Sequence, residues 1–402
     1  MINWRFKTRT LRPIGLDIGH SFIKMIQLSI HEGHISILAA EKARTETGPD
    51  TDPDERRKVI VSTINRMLSE GNFRGKDVVS CLPNEQLKIT SLRLEEEETQ
   101  DIERALRKEV AHRFGLDPDK DSVNYMVAGN VWQGDETKNE LILFGAEDET
   151  IRSHIEMLEQ VGLRPVSIDT VPCALFRSFE RSLRRQEDRE RTMVFVDVGS
   201  HFTTVVFGCG EEISFVKQIP IGGANFNQAI ASKLGIDVQK AEVLRNKLRM
   251  AKQGLGADLP NQKTMTAGAS DEKDSVAPGQ LNSLDASTRQ VMVDAIGTVA
   301  EELANEISLC FRYYTVTFRG KRVERAVFAG GEAYEGILLN VLRRQLTVEI
   351  GVAEPLRGFD MINVDFGSDR RSLHCEWAVA VGLGLKGWRW KPEREKAQAV
   401  AV

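Results

Sequence analysis

The chain has 402 residues, of which 41% are hydrophobic and 28% are charged, a composition typical of a globular protein with more than one hydrophobic core. Its formal net charge of −5 offers no positive field for nucleic acid, and its five widely spaced cysteines predict neither a disulfide framework nor a zinc site. Because no apolar run reaches the roughly 18 to 20 residues of a membrane span and the N-terminus lacks a signal-peptide core, we expect a cytoplasmic protein without a membrane span.

The first segment of the chain predicts half of an α/β layer. A strand from Ile14 leads through a turn to two strands, a helix and a buried strand, at Phe22–Ser29, His34–Ala39, Asp54–Glu70 and Val78–Leu82. Residues 84–165 predict a small α+β unit set into this half, with strand Gln86–Leu94, helix Glu95–Phe114, strands Ser122–Trp132 and Glu140–Ala146, and helix Glu149–Val161.

The remaining chain predicts a second half that begins like the first. After strand Val166–Ile168 and helix Val171–Leu183, three strands repeat the opening pattern at Thr192–Asp197, Thr203–Gly208 and Glu212–Ile219. Residues 253–285 contain almost no apolar side chains and predict a disordered insertion. The other predicted elements are helices Ala224–Leu234, Val238–Ala251 and Ser287–Phe318, strand Glu324–Ala329, and helices Tyr334–Leu346 and Cys375–Leu385.

Two turns of the chain have nearly the same sequence. Ile14–Lys24 reads IGLDIGHSFIK and Val194–Thr204 reads VFVDVGSHFTT, so an Asp-x-Gly turn ends an apolar strand at positions 17 and 197, 180 residues apart. A single Asp-x-Gly is usually an ordinary turn capped by its aspartate. Two copies in matching contexts favour a duplicated domain whose strand-end carboxylates and glycines serve a metal–nucleotide site.

The chemistry of such a site suggests roles for residues in and near the two turns. Asp17 and Asp197 would hold Mg²⁺ largely through water, and the turn glycines would let phosphate approach the backbone. Lys24 would neutralise phosphate charge, or is instead an exposed strand lysine. The backbone of FAGGE, Phe328–Glu332, could lie against adenosine, although such strand-to-helix turns are common.

Glu242 and Arg245 lie three residues apart on a predicted helix and so share one face. In that arrangement they could hydrogen-bond a ribose and stack on a base. An intrahelical salt pair explains the same spacing, so the two residues alone leave both interpretations open.

Together these motifs resemble the actin-like ATPase superfamily, which includes actin, the ATPase domain of heat-shock chaperones, sugar kinases and FtsA. The resemblance covers roughly 14–388 and rests on DIGxS…K, VxIDxVPxAL, DVGSxxTT, IPIGG, AExxR and VFAGGExxEG. Within the superfamily the chain most resembles the PilM family of type IV pilus assembly proteins, through LDIGHSFIKMIQLS and through PIGGANFNQAIASKLGI followed by KAEVLRNKL.

The resemblance implies an α/β, actin-like ATPase fold of duplicated ribonuclease-H-like domains with an inserted 1C-type α+β subdomain. The implied subdomains are 1A at 12–83 with 166–190, 1C at 84–165, 2A at 191–225 with 320–390, and 2B at 226–319, which contains the loop 253–285. The inserted unit, in this position, separates this branch of the superfamily from actin and the chaperones.

The resemblance also implies ATP and Mg²⁺ as ligands. Asp169 aligns with the residue that positions the attacking water in active relatives. Ser200, His201 and Phe202 stand where strongly active relatives carry a further glycine and a threonine, so we expect at most slow hydrolysis. The implied nucleotide contacts are Asp17, Gly19, His20, Ser21 and Lys24 in the first phosphate motif, Asp197, Gly199 and Thr203 in the second, Gly222 and Gly223 near the terminal phosphate, Glu242 and Arg245 at ribose and base, and Gly330 and Gly331 at adenosine.

The implied function is that of an ATP-binding adaptor of the type IV pilus inner-membrane complex. Relatives bind the N-terminal cytoplasmic segment of PilN in a groove beside the inserted unit, which would recruit the chain to the inner face of the membrane. Other pilus assembly proteins and a second copy of the chain are further expected partners.

Two alternatives remain at this point. An FtsA-like cytoskeletal or secretion-system ATPase would bind the membrane directly, but the C-terminal GWRWKPEREKAQAVAV has no apolar stripe for an anchor helix. A metabolic kinase would need a catalytic carboxylate and polar sugar-binding residues between the halves, and the first domain shows no such cluster.

Overall fold

The computed structural model describes residues 10–31, 34–45, 51–95, 102–133, 136–180, 191–254, 285–318, 322–362, 364, 366 and 374–388. A five-stranded sheet forms the first half, with strands β1 (Thr10–Ile18), β2 (Phe22–His31), β3 (His34–Arg44), β4 (Asp77–Cys81) and β8 (Arg164–Asp169). The strand order is β3-β2-β1-β4-β8. The first three strands form an antiparallel meander, while β1, β4 and β8 run parallel.

The second half contains a sheet of the same design. Its strands are β9 (Thr192–Val198), β10 (Thr203–Cys209), β11 (Glu212–Ile219), β12 (Val323–Ala329) and β13 (Glu349–Val352). The order β11-β10-β9-β12-β13 repeats that of the first sheet, with antiparallel and parallel pairs at the same places. The predicted duplication is therefore confirmed, and β1 and β9 are the equivalent central strands.

A third sheet, antiparallel and three-stranded, lies between β4 and β8 in the chain. It consists of β5 (Lys88–Leu94), β6 (Ser122–Gln133) and β7 (Glu136–Ala146) in the order β5-β7-β6, so β6 is an edge strand. Helix α2 (Ile102–Phe114) covers one face, where Leu141 and Leu143 are buried. The other face packs on the second half, because Ile142 and Phe144 belong to the core of that half.

Helix α3 (Asp148–Gln160) falls within the range expected for the inserted unit but packs on helix α1 (Pro53–Glu70). Met157 and Leu158 share a core with Ile60 and Ile64. Both helices therefore cover the first sheet.

The remaining helices are α4 (Val171–Glu180), α5 (Gly223–Leu234), α6 (Val238–Gly254), α7 (Ala286–Thr317), α8 (Gly336–Gln345) and α9 (Ala378–Gly384). The predicted helix Tyr334–Leu346 begins only at Gly336, because Gly331–Tyr334 forms a 3-10 turn. The predicted helix Cys375–Leu385 likewise opens with the 3-10 turn Cys375–Trp377. Most of the insertion predicted at 253–285 lies outside the described residues, and among the described helices none is long and apolar enough to cross a membrane.

Two helices connect the halves, because each packs on the sheet of the other half. Helix α4 follows β8 but lies on β10, where a Cβ added at Gly208 would overlap the ring of Phe176. Helix α9 follows the second sheet in the chain but lies on β1, where a Cβ added at Gly15 would overlap the backbone of Ala380. Glycine therefore allows the close approach of helix and strand at both places.

The same two helices touch each other. A Cβ added at Gly382 of α9 would overlap the carbonyl oxygen of Ala174 in α4. The Arg177 guanidinium, also on α4, donates a hydrogen bond of 2.9 Å to the carbonyl oxygen of Gly382. The crossing thus depends on two small residues and one cross-helix hydrogen bond.

Gly382→Ala will lower the free energy of unfolding by about 1–3 kcal/mol or more, because the backbones at the crossing cannot accept a methyl group without moving. Gly297→Ala, in the middle of α7, is the matched control, since a Cβ there meets nothing within 4 Å. We expect the control to raise stability by up to about 1 kcal/mol, because alanine is the better helix former. Urea denaturation measures both, and equal effects would contradict the close crossing.

Candidate functional site

The two Asp-x-Gly turns form matching hairpins at the ends of β1 and β9. The Gly19 N–H donates to the Phe22 carbonyl oxygen at 3.0 Å, and the Gly199 N–H donates to the Phe202 carbonyl oxygen at 3.0 Å. No described residue accepts a hydrogen bond from the backbone N–H groups at positions 20, 21, 200 and 201. These four amides are therefore available as donors to an anion.

Two carboxylates and one ammonium form the centre of the site. Lys24 Nζ lies 2.8 Å from Asp17 Oδ2. Burial lowers the pKa of Lys24, but attraction to Asp17 and Asp197 outweighs burial and raises that pKa. Burial, followed by repulsion from Asp17, raises the pKa of Asp197 from 3.8 to about 6 although Lys24 opposes the change. One ammonium therefore serves two carboxylates, and the cluster carries a net negative charge when both carboxylates are ionised.

This donor set fits Mg²⁺ bound together with a nucleotide. Mg²⁺ usually retains several waters and takes one or two carboxylates plus phosphate oxygens. Among the described residues, no cluster of three or more His, Cys, Asp and Glu side chains could hold a metal by itself. Asp17 and Asp197 could therefore hold the ion only jointly with water and phosphate. The pKa of Asp197 is raised, and a bound cation would stabilise the ionised form of this carboxylate.

The tips of the two turns touch each other. Ser21 Oγ and Ser200 Oγ are hydrogen-bonded at 3.1 Å, and the rings of His20 and His201 lie 3.6 Å apart between centroids, tilted by 40°. Burial, His201 and the positive charge of Arg56 lower the pKa of His20 to about 4, and burial is also the main cause that lowers the pKa of His201. Both imidazoles are therefore neutral at pH 7.

The turn predicted near the terminal phosphate, Gly222–Gly223, lies against the second hairpin, and its N–H groups already donate hydrogen bonds within the protein. The N-terminal N–H groups of α5 donate within the protein: Gly222 to Asn225 Oδ1 at 2.9 Å, Gly223 to the Gly199 oxygen at 3.0 Å, and Ala224 to the Ser200 oxygen at 2.7 Å. Thr203 Oγ1 donates to the Ile221 carbonyl oxygen at 2.7 Å, so its hydroxyl holds the same turn. These groups position the second hairpin rather than offering free donors.

Arg245, a predicted base contact, lies in a buried ion network. Its side chain is 3% exposed, forms a short ion pair with Glu332, and lies with Nε 3.3 Å from Glu335 Oε2. Arg249 belongs to the same network, with its Nη1 atom 3.4 Å from Glu332 Oε2. Burial raises the pKa of Glu332, but the two arginines outweigh burial and lower it. The sequence alone did not identify Arg249, Glu332 and Glu335 as part of this network. The available signal was spacing, since Arg249 follows Arg245 by four residues and Glu335 follows Glu332 by three.

Glu242, the predicted ribose contact, lies at the surface and joins the two halves. Arg44 Nη2 at the end of β3 donates to Glu242 Oε1 on α6 at 2.5 Å. The Arg44 side chain is 53% exposed, so the pair contributes little to stability. Glu242 and Arg245 therefore lie in different environments, with no intrahelical pair between them.

The predicted adenosine motif lies directly against the second hairpin. Gly330 has a φ of +90°, and a Cβ there would lie 2.7 Å from Asp197 Oδ1. Its N–H donates to the Cys375 carbonyl oxygen at 3.1 Å. A Cβ added at Gly331 would meet nothing within 4 Å, so the space beside it is open.

Asp169 lies at the carboxyl end of β8 and is buried. Its Oδ2 is 2.9 Å from Arg177 Nη1 and 3.1 Å from Lys386 Nζ, and its Oδ1 accepts from the Thr170 N–H at 2.8 Å. These contacts favour a structural role. The water-positioning role stays a prediction.

Comparison with known proteins gives a consistent picture. The family model of the type IV pilus assembly protein PilM matches residues 15–255. A chain of a solved PilM–PilN type IV pilus biogenesis complex is 20% identical, with a TM-score of 0.70 over 94% of this chain and 99% of that chain. The ethanolamine utilization protein EutJ from Carboxydothermus hydrogenoformans is 12% identical, with a TM-score of 0.50 over 94% and 90%. No curated protein sequence matches significantly.

These likenesses, together with the duplicated sheets, show that the chain has the actin-like ATPase fold with an additional three-stranded unit. The fold predicted from the sequence is therefore confirmed.

Asp197→Asn will stabilise the protein at pH 7.5, measured without nucleotide or Mg²⁺. A raised pKa means that the folded chain holds the carboxylate proton more tightly than the unfolded chain, so wild-type stability falls as pH rises from 3.8 to about 6. At pH values above about 6, the variant should gain at most about 3 kcal/mol in free energy of unfolding over wild type, since one pKa unit corresponds to about 1.4 kcal/mol. Near pH 4 the two proteins should be equally stable. Denaturation curves at several pH values measure it, and a gain independent of pH would contradict the charge cluster.

Proposed function

The chain belongs to the family of the type IV pilus assembly protein PilM, and from this premise we propose that it is a cytoplasmic, ATP-binding adaptor of the pilus inner-membrane complex. It binds the N-terminal cytoplasmic segment of a PilN-like protein and hydrolyses ATP slowly or not at all. The observation that carries the nucleotide proposal is the cluster of Asp17, Lys24 and Asp197 between two matching hairpins. The likeness to a chain of a PilM–PilN complex supports the partner.

Both hairpins contribute contacts to the nucleotide and its metal ion. The amides at positions 20, 21, 200 and 201 donate to phosphate oxygens, and Lys24 adds positive charge. Asp17 and Asp197 orient Mg²⁺ through its waters, and the ion supplies the charge that balances the phosphates. The open backbone beside Gly331 accepts the adenosine.

Slow or absent hydrolysis follows from how the polar groups around the site are used. Hydrolysis needs a group that orients water in line with the terminal phosphate. The Asp169 carboxylate is held by Arg177 and Lys386, and the Thr203 hydroxyl is held by Ile221. The N–H groups at the start of α5 are also occupied. Each of these groups would have to leave its present partner before it could serve catalysis, which is energetically costly.

A nucleotide between the hairpins would change the relation between the halves. Because β1 and β9 belong to different sheets, a ligand that contacts both hairpins sets the distance between those sheets. The Arg44–Glu242 pair also joins the halves and would respond to the same movement. The three-stranded unit belongs to the first half in sequence but packs on β11, so its position depends on both halves.

The edge strand β6 is the surface that we assign to the PilN-like segment. Its sequence, SVNYMVAGNVWQ, contains neither a charged residue nor proline, the usual protection of edge strands. Tyr125, Val127 and Trp132 are exposed on it, and Tyr125 and Val127 pair with Leu143 and Leu141 on the face that α2 covers elsewhere. An extended peptide could therefore add a strand to β6 and place apolar side chains beside α2.

Mg-ATP will raise the melting temperature of the protein, and Asp197→Ala will abolish this increase. Ligand at 100 times its Kd adds about 2.7 kcal/mol to the free energy of unfolding. Asp294→Ala, at an exposed position of α7, is the control and should keep the increase. Differential scanning fluorimetry measures the three proteins, and an unshifted melting temperature at millimolar Mg-ATP would count against the nucleotide site.

Val127→Ser will weaken binding of a PilN-type N-terminal peptide about fivefold or more, because an exposed apolar contact contributes roughly 1 kcal/mol. Val243→Ser is the matched control, since Val243 is 54% exposed on α6, which packs on α5. Fluorescence anisotropy with a labelled peptide gives both affinities. Equal affinities for the two variants would exclude β6 as the binding surface.

A further inference from the structure

The tips of the two hairpins carry the same pair of residues in opposite order. The first reads Gly-His-Ser at 19–21 and the second reads Gly-Ser-His at 199–201. Because the hairpins face each other, this reversal brings Ser21 to Ser200 at 3.1 Å and His20 to His201 at 3.6 Å between ring centroids. The two contacts join the tips, so a phosphate group that reaches between the hairpins must separate them.

The histidine contact depends on charge. Two imidazolium rings at this separation would repel each other, and Arg56 on α1 adds positive charge that acts on both rings. Glu85, in the 3-10 turn after β4, acts in the opposite direction on His201. The rings therefore pair in their neutral forms. A bound polyphosphate would favour the protonated rings instead, because its negative charge stabilises imidazolium and its oxygens accept N–H hydrogen bonds.

We propose that His20 and His201 form a two-part gate over the phosphate subsite: they pair with each other in the structure, and phosphate binding separates them so that each donates an N–H to a phosphate oxygen. This inference rests on the proposed nucleotide binding. It assigns phosphate contacts to two imidazole side chains, one from each half, and adds His201 to the contacts that the sequence implied. It also gives the site a dependence on pH.

The proton balance follows from the two forms of the rings. Each neutral imidazole takes one proton from the solvent when it leaves the pair and becomes an imidazolium beside phosphate, so binding consumes up to two protons through the gate. Asp197 acts in the opposite direction near pH 6, because Mg²⁺ favours its ionised form and binding releases its proton. A comparison of variants that keep Asp197 separates the two effects.

The test is titration calorimetry of the full chain with Mg-ATP at pH 6.5 and 8.0, in buffer pairs of different ionisation heat. The proteins are wild type, the double variant His20→Asn/His201→Asn, and the control His34→Asn at an exposed strand position. At pH 6.5, wild type and the control should take up more protons on binding Mg-ATP than the double variant does. Their affinity should fall between pH 6.5 and 8.0 by up to about tenfold per pH unit for each proton, and that of the double variant should fall less.

Each outcome is decisive. Binding of Mg-ATP with the same proton uptake in wild type and double variant would overturn the gate and leave the nucleotide site intact. Absence of binding in wild type at both pH values would overturn the nucleotide site and the gate together. The single variants His20→Asn and His201→Asn guard against misfolding of the double variant, since each should lose part of the proton uptake.

Discussion

The crossing of helices α4 and α9 holds the two sheets in the position on which the site depends. Helix α9 lies on β1 at Gly15, two residues before Asp17, and α4 lies on β10 at Gly208. Because the helices also touch at Gly382, close contacts lead from one sheet through the two helices to the other, with the Phe176 ring as the contact at Gly208. The distance between the hairpins of β1 and β9 is therefore set by close packing of small residues.

The two hairpins are equivalent in the duplicated fold, but they differ in charge. Strand β1 pairs Asp17 with Lys24, whereas β9 pairs Asp197 with Thr204, which carries no charge. One lysine consequently serves two carboxylates, and the pKa of Asp197 rises. The same asymmetry suits the proposed function, since a site with two carboxylates and one ammonium gains from the positive charge of Mg²⁺. In the proposed function, nucleotide acts as a cross-link between the halves more than as a substrate.

The sequence was sufficient to predict the duplication, both hairpins and nearly all strands, because strand patterns and Asp-x-Gly turns are local. It did not predict β13, because this strand has only four residues and Gly351 interrupts its apolar pattern. It also missed the burial of Arg245, because Glu332 and Glu335 lie about ninety residues further along the chain and only the fold brings them together. The sequence placed Gly222 and Gly223 near the terminal phosphate, but it could not show that their N–H groups donate to Asn225 Oδ1 and to the Gly199 oxygen, because the second of these contacts joins two turns that only the fold brings together.

The central claim is that one nucleotide contacts both hairpins. Hydrogen–deuterium exchange with mass spectrometry tests it directly, because peptides that cover 14–24 and 194–204 report on the two hairpins separately. The account predicts that Mg-ATP slows exchange in both peptides over the same range of nucleotide concentration, and that peptides from β6 change less. Protection of one hairpin alone, or of neither, would contradict a shared site between the two halves.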